Sequence, residues 1–204
     1  MNVDLHVHTI ERSPCATVSE IYQIETAIAA GLDGIAITDH HILVPRKRLL
    51  ALNEKYAPFK IFTGIEISAG PNDWLVLGID DPAIQRKDWR YPDLLDFVRA
   101  RDGYIILAHP FRYRPNLDDD LETYRPDGIE ELSINTPAHR REEIRSIAGR
   151  LGLALFANSD AHFPGAVGGF SNRLPRTAGD DKELVEVLKE MRMEVAACPG
   201  GNGR

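Results

Sequence analysis

Val3-Asp4-Leu5-His6-Val7-His8, Thr17-Val18-Ser19-Glu20 and Gly34-Ile35-Ala36-Ile37-Thr38 decide how the chain is built. An alternating apolar run, an amphipathic stretch and a second apolar run follow one another within residues 3–38, which is the pattern of a βα repeat. Thr17-Val18-Ser19-Glu20 reads as a capping box, Ile21, Ile24 and Ile28 share a helical face, and Gly31 supplies the stop. The runs Lys60–Ile67, Leu75–Ile79, Tyr104–Ala108, Leu132–Ile134, Leu153–Ala157 and Glu194–Ala197 read as further strands. Helices are predicted after Pro45, over Leu94–Arg101, after Thr136-Pro137 (Ile144, Ile147 and Leu151 on one face, Gly152 ending it), and after Asp180-Asp181 (Leu184, Val187, Leu188, Met191). One junction breaks the repetition. Ser68–Asp73 is too short for a parallel crossover, so an antiparallel hairpin is predicted within residues 60–79.

Composition bounds the rest. The chain has 204 residues and 22.8 kDa, 43% hydrophobic and 27% charged, the balance of a single α/β domain with its own core. That domain is placed at residues 1–198, with Asn172–Asp180 as a loop and residues 199–204 as a flexible tail. A formal net charge of -7 argues against a nucleic-acid binder that relies on phosphate attraction, and leaves small anionic substrates open. Cys15 and Cys198 are too few for a disulfide framework. Without an export leader or a long apolar run, the reading is a soluble, cytoplasmic protein with no membrane partner; oligomeric state leaves no signature.

The histidines carry the chemistry. His6, His8, His40, His41, His109 and His162 fall at or just past the ends of apolar runs, whereas His139 lies on an exposed helix and is assigned no role. Barrels and open parallel sheets alike bring such ends to one rim. Asp39, Glu66 and Asp160 occupy the same kind of position, and imidazole with carboxylate is a transition-metal ligand set. Singly, each element has a plain structural reading: His6 and His8 as satisfied polar residues on one side of a strand, Asp39-His40 as a turn, Glu66 as half of an ion pair. Their recurrence on successive strand ends points instead to a polynuclear metal centre.

The series Asp4-Leu5-His6-Val7-His8-Thr9, Ile37-Thr38-Asp39-His40, Gly64-Ile65-Glu66, Leu107-Ala108-His109-Pro110 and Ser159-Asp160-Ala161-His162 resembles the PHP (polymerase and histidinol phosphatase) superfamily, in order from residue 4 to residue 162. The resemblance implies a distorted, TIM-like (β/α)7 barrel and phosphoester hydrolysis at two or three divalent ions of zinc, manganese or iron. It implies that His6, His8, Glu66 and Asp160 hold a first ion, and that Glu66 bridges to a second held by His109. His40 and His162 would serve a third, with Asp39 orienting an imidazole from behind; His41 is read as a hydrogen-bonded rim residue. Two departures follow. Leu75 stands where many relatives carry a histidine, leaving the second ion a ligand short, with Glu130 or Glu131 as compensating candidates. Cys15 stands where an aspartate or histidine often completes the third site, and is either a thiolate ligand or a buried free cysteine.

The implied activity is hydrolysis of a small phosphomonoester, nucleotide or diester by a metal-activated hydroxide. Arg112 and Arg114 are the first candidates for its phosphate, Arg173 and Arg176 the second. The alternatives are a metal-dependent amidohydrolase and a non-catalytic PHP-like binding module.

Overall fold

Side-chain alternation, followed strand by strand, separates an inside from an outside. The computed structural model describes residues 1–117 and 120–197, and among these the strands are β1 (Asn2–Val7), β2 (Gly34–Ile37), β3 (Lys60–Ala69), β4 (Asn72–Leu77), β5 (Tyr104–Leu107), β6 (Gly128–Leu132), β7 (Ala154–Ala157) and β8 (Asn172–Arg173). Their order is β7-β6-β5-β4-β3-β2-β1-β8, parallel except that β4 opposes both β3 and β5, and β8 opposes β1. Val3, Leu5, Ala36, Phe62, Leu75, Leu77, Tyr104, Ile106 and Phe156, at alternate positions on their strands, form one buried cluster that fills the lumen. The intervening residues face outward. Ile35 and Ile37 meet α1 (Glu20–Ala29) and α2 (Arg46–Tyr56), while Trp74, Val76, Ile105 and Ile129 pack towards α3 (Tyr91–Arg99) and α4 (Arg141–Leu151). Leu184, Val187 and Leu188 of α5 (Asp181–Ala197) join the lumen cluster and close its lower end.

The sheet is thus a nearly closed, TIM-like barrel, with the expected hairpin at β3–β4. Its seam lies between β7 and β1, where no direct ladder forms. Asn158 Oδ1 accepts from Leu5 N at 3.1 Å and from Asn172 Nδ2 at 2.7 Å, while Asn172 Oδ1 accepts from Ala157 N at 2.9 Å. Val7 and Ala161 add an isolated parallel bridge above these amides.

Several local expectations are corrected. Ser19, not Thr17, caps α1 by accepting from Tyr22 N, because Glu20 is held by Arg12 and Arg48 and closes no box. The strand predicted at Leu132–Ile134 lies at Gly128–Leu132; Ser133 Oγ accepts from Thr136 N and turns the chain. Glu194–Ala197 continues α5 rather than forming a strand, since no glycine or proline interrupts the helix-forming sequence after Met191. The Asn172–Asp180 loop contains the short β8, which caps the open edge of β1. No helix spans β5 to β6 among the described residues, so the βα repetition is incomplete there. Cys198 and the tail 199–204 lie outside the described residues.

Asp180 caps α5, accepting from Glu183 N at 2.9 Å, and Asp181 ties the helix to β3 through Thr63 N and Thr63 Oγ1, both at 2.7 Å. Burial, with Asp180 and Asp80 nearby, raises the Asp181 carboxyl above its ordinary value against the pull of those hydrogen bonds. The native state therefore binds this proton more tightly than the unfolded chain, and its contribution to stability falls as pH rises through that interval. Asp181→Asn is expected to gain on the wild type as pH rises from 4, and to hold a constant margin once the native carboxyl has ionised, when thermal midpoints are compared; curves parallel throughout would refute this.

Candidate metal centre

The reversal of β4 and a bulge in β1 build the rim. Register shifts between Asp4 and Val7 of β1, so Val3 and Leu5 fill the lumen while His6 and His8 also point into it and Val7 packs outside. Glu66 follows the lumen face of β3, and the reversed β4 brings its first residues to the same rim, with Asp73 paired to Ser68. His109 follows β5, Glu130 lies on the lumen side of β6, and Asp160 and His162 follow β7. His41, His109, Phe111 and Asp160 hold φ values of 56°, 25°, 67° and 52°, left-handed conformations unusual for residues with side chains.

These residues converge closely. His6 Nε2 and His8 Nε2 are 2.9 Å apart, and Asp160 Oδ1 lies 3.2 and 3.3 Å from them. Glu66 Oε1 is 3.5 Å from His6 Nε2 and 2.9 Å from His109 Nε2; its Oε2 is 3.2 Å from His8 Nε2 and 2.9 Å from His40 Nδ1. Tetrahedral ligands about 2.1 Å from a metal stand roughly 3.4 Å apart, so the spacing suits an ion. Glu66 Oε2 and Asp160 Oδ1 are buried without an aligned hydrogen-bond donor, which is what a cation would remedy. The ligand-competent groups overlap: His6, His8 and Glu66; His6, His109 and Asp160; Glu66, Asp73 and His109; His8, His40 and His162.

Electrostatics agrees. Burial would lower His6, but Asp160, Glu130 and Glu66 raise it well above the ordinary imidazole value, and His40 and His109 are likewise raised against burial, chiefly by Glu66. Burial would raise Glu66, yet His6, His109 and His40 hold it well below the usual carboxylate range; Asp160 is depressed by His6, His162 and His8. The carboxylates thus draw positive charge onto the imidazoles, a demand that divalent cations would meet.

Surrounding groups fix the imidazole tautomers. Glu130 Oε1 accepts from His6 Nδ1 at 2.9 Å, leaving the Nε2 lone pair towards the cluster. Ser13 Oγ donates to Asp39 Oδ1 at 2.7 Å and faces His8 Nδ1 at 3.3 Å, so Asp39 acts on His8 through a hydroxyl. Asp39 also accepts from Thr9 N, Thr9 Oγ1 and Arg12 Nε, each at 2.7 Å.

The structure brings His6, His8, His40, Glu66, His109, Asp160 and His162 together, with Arg112 Nη1 at 3.5 Å from Asp160 Oδ2. Others lie elsewhere. Glu130 stands behind His6, also accepting from His109 N, and Glu131 faces outward onto Arg141 and Arg145. Cys15 is exposed at the cavity mouth rather than buried, and joins no ligand group. Arg114 is exposed further along the loop. Arg173 sits in β8 opposite Asn2, at the other end of β1 and about 13 Å of strand from His6. Arg176 is paired with Glu190 of α5. These two arginines are corrected from the phosphate set, because β8 returns the chain after His162 to the barrel's lower end. His41 is a rim residue, its Nε2 facing Ser68 N at 3.4 Å.

Sequence reasoning missed Asp73 and Asn135. Asp73 stands two residues before Leu75, on the same face of the hairpin, which was the available signal. Asn135 donates from Nδ2 to Asp160 Oδ2 at 2.6 Å and carried no spacing signature. Over the cluster opens a cavity of about 400 Å³ lined by His40, His162, Arg112, Tyr113, Asn135 and Phe163. A larger hollow of about 690 Å³, around Met1, Tyr56 and Phe59, lies at the opposite end, away from these groups.

The model of the PHP-associated family matches residues 138–193 of the sequence. The chain is similar to a Bacteroides vulgatus two-domain protein containing a predicted PHP-like metal-dependent phosphoesterase, with a TM-score of 0.60 and 19% identity, covering 80% of this chain and 52% of that one. Its fold is that of the PHP superfamily. Two further comparisons span nearly whole chains. A Bifidobacterium adolescentis protein inferred to be a metal-dependent phosphoesterase gives a TM-score of 0.69 at 17% identity, covering 91% of this chain and 95% of its own. A Chromobacterium violaceum amidohydrolase with bound sulfate gives 0.63 at 17%, covering 92% and 97%. No curated protein matches the sequence. Among the described residues no helix is long and apolar enough to cross a membrane.

Proposed function

We propose that the chain is a metal-dependent hydrolase of small phosphomonoesters, holding at least two divalent ions. The observation that carries this is the overlap of the ligand groups on His6, His8, Glu66 and His109, with one unpaired buried oxygen on each of Glu66 and Asp160 and the Arg112 Nη1 3.5 Å from the other Asp160 oxygen. His6, His8, Glu66 and Asp160 would hold one ion, Glu66, Asp73 and His109 a second, and His40 with His162 the outer edge of the centre. When bound, such ions supply Lewis acidity and a water that ionises near neutral pH.

The chain's own groups do the remainder. Glu130 and the Asp39–Ser13 pair keep His6 and His8 with Nε2 turned inward. Asn135 and Arg112 both meet Asp160 Oδ2, fixing that carboxylate and presenting guanidinium charge to the cavity. That charge suits a phosphoryl dianion better than a neutral amide, which favours the phosphoesterase over the amidohydrolase suggested by the Chromobacterium relative's name.

The test is phosphate release from phosphomonoesters and cyclic or dinucleotide diesters with added manganese or zinc, beside a chelated sample and His109→Ala. Chelator-sensitive turnover lost in the variant is expected. Cleavage of amides or lactones without phosphate release would transfer the assignment to the amidohydrolase, and metal binding without any turnover would transfer it to a binding module. Arg112→Glu is expected to raise KM at least about tenfold, the scale of one charge-assisted contact. An unchanged KM would remove Arg112 from the phosphate site.

A further inference from the structure

Tyr113, Phe163 and Ile134 share the cavity above the cluster, and they are 64%, 49% and 43% exposed. Single exposed apolar side chains are ordinary on protein surfaces, but here three large ones ring the opening that leads to the ligand groups. Arg112 joins the two regions. Its guanidinium carbon lies 4.9 Å from the centre of the Tyr113 ring, while its Nη1 lies 3.5 Å from Asp160 Oδ2. The Tyr113 ring also stands edge-on to His109, with centroids 6.1 Å apart. Phe163 follows His162 directly in sequence. An aromatic wall therefore begins about one side chain from the place where a phosphoryl group would meet Arg112.

We infer that Tyr113 and Phe163 form a leaving-group site, and that the substrate is a phosphomonoester whose alcohol carries a planar ring. This deepens the phosphoesterase reading and rests on it. Hydrolysis adds water at phosphorus and breaks the ester P–O bond; the alcohol departs with a proton, leaving inorganic phosphate. The ring would stack on Tyr113 or Phe163, a contact that tolerates many ring types. A site built for a sugar or polyol alcohol would instead turn hydrogen-bonding groups to its hydroxyls, and the Asn135 amide nitrogen is already engaged on Asp160.

The deciding experiment is calorimetric binding of benzylphosphonate and ethylphosphonate, neither of which has an ester bond to cleave, to the manganese-loaded protein. Benzylphosphonate is expected to bind about tenfold more tightly, with the preference falling to roughly twofold or less in the Tyr113→Ala/Phe163→Ala double variant. Both side chains are exposed, and the preference is measured within each protein, so a general loss of affinity cancels. Equal binding in the wild type, or an undiminished preference in the variant, would overturn the ring site. Turnover of AMP against ribose 5-phosphate, and of benzyl phosphate against ethyl phosphate, then locates the ring. Preference for AMP supports a ring carried on a sugar, and preference confined to the benzyl ester supports one close to the ester oxygen. Ring-selective binding without phosphate release from any ester would overturn the phosphoesterase reading while leaving the aromatic site in place.

Discussion

Glu66→Gln is expected to lower metal-dependent turnover about a thousandfold, roughly 4 kcal/mol of lost transition-state stabilisation. The side chain keeps its size but exchanges one oxygen for an amide donor. In the wild type both oxygens are used: Oε1 faces His6 and His109, and Oε2 faces His8 and His40. No orientation of an amide presents lone pairs to both sides, so one of the proposed ion positions would lose its carboxylate oxygen. Stability gives an independent check. An ion at a hundredfold its Kd should stabilise the wild type by about 2.7 kcal/mol and raise Tm by roughly 5–10 °C. The variant should respond much less and contain less metal. Wild-type metal content with turnover within about threefold would show that Glu66 does not bridge.

The second large effect lies at the seam. Asn172→Ala is expected to destabilise the fold by about 3 kcal/mol, lowering Tm by roughly 6–12 °C. Its amide stands in for the missing β1–β7 ladder, accepting from Ala157 N and donating to Ala157 O and Asn158 Oδ1. Alanine leaves these buried groups without their partner. Asn158 would then be less well held, and it donates to Glu130, which orients His6. Loss of stability should therefore be accompanied by weaker metal affinity. A Tm within about 1 °C of the wild type would mean that other groups close the barrel.

The principal imidazoles and carboxylates were legible because they sit at strand ends, where an apolar run stops abruptly at a metal-competent side chain. The β3–β4 hairpin was legible from its short link. The reversal also brings the start of β4, rather than its end, to the rim, and with it Asp73, which no apolar run announces. The bulge in β1 also escaped pattern reading, since alternation puts His6 and His8 on one side but does not say that Leu5 shares it. Arg173 and Arg176 follow His162 closely in sequence but not in space, because the chain descends the barrel to pair β8 with β1. Ser13 and Asn135 act through hydrogen bonds set by tertiary placement, which leaves no periodic trace.

The left-handed backbone at His41, His109, Phe111 and Asp160 makes the rim a poor place to look for improved heat resistance. Glycine would fit those torsions more readily, each releasing on the order of 1 kcal/mol of strain, but at His109 and Asp160 the exchange would remove a side chain that the centre uses. Selection for thermal tolerance alone should therefore drift towards an inactive barrel, while selection that also demands turnover should concentrate its gains in the outer helices and at the seam.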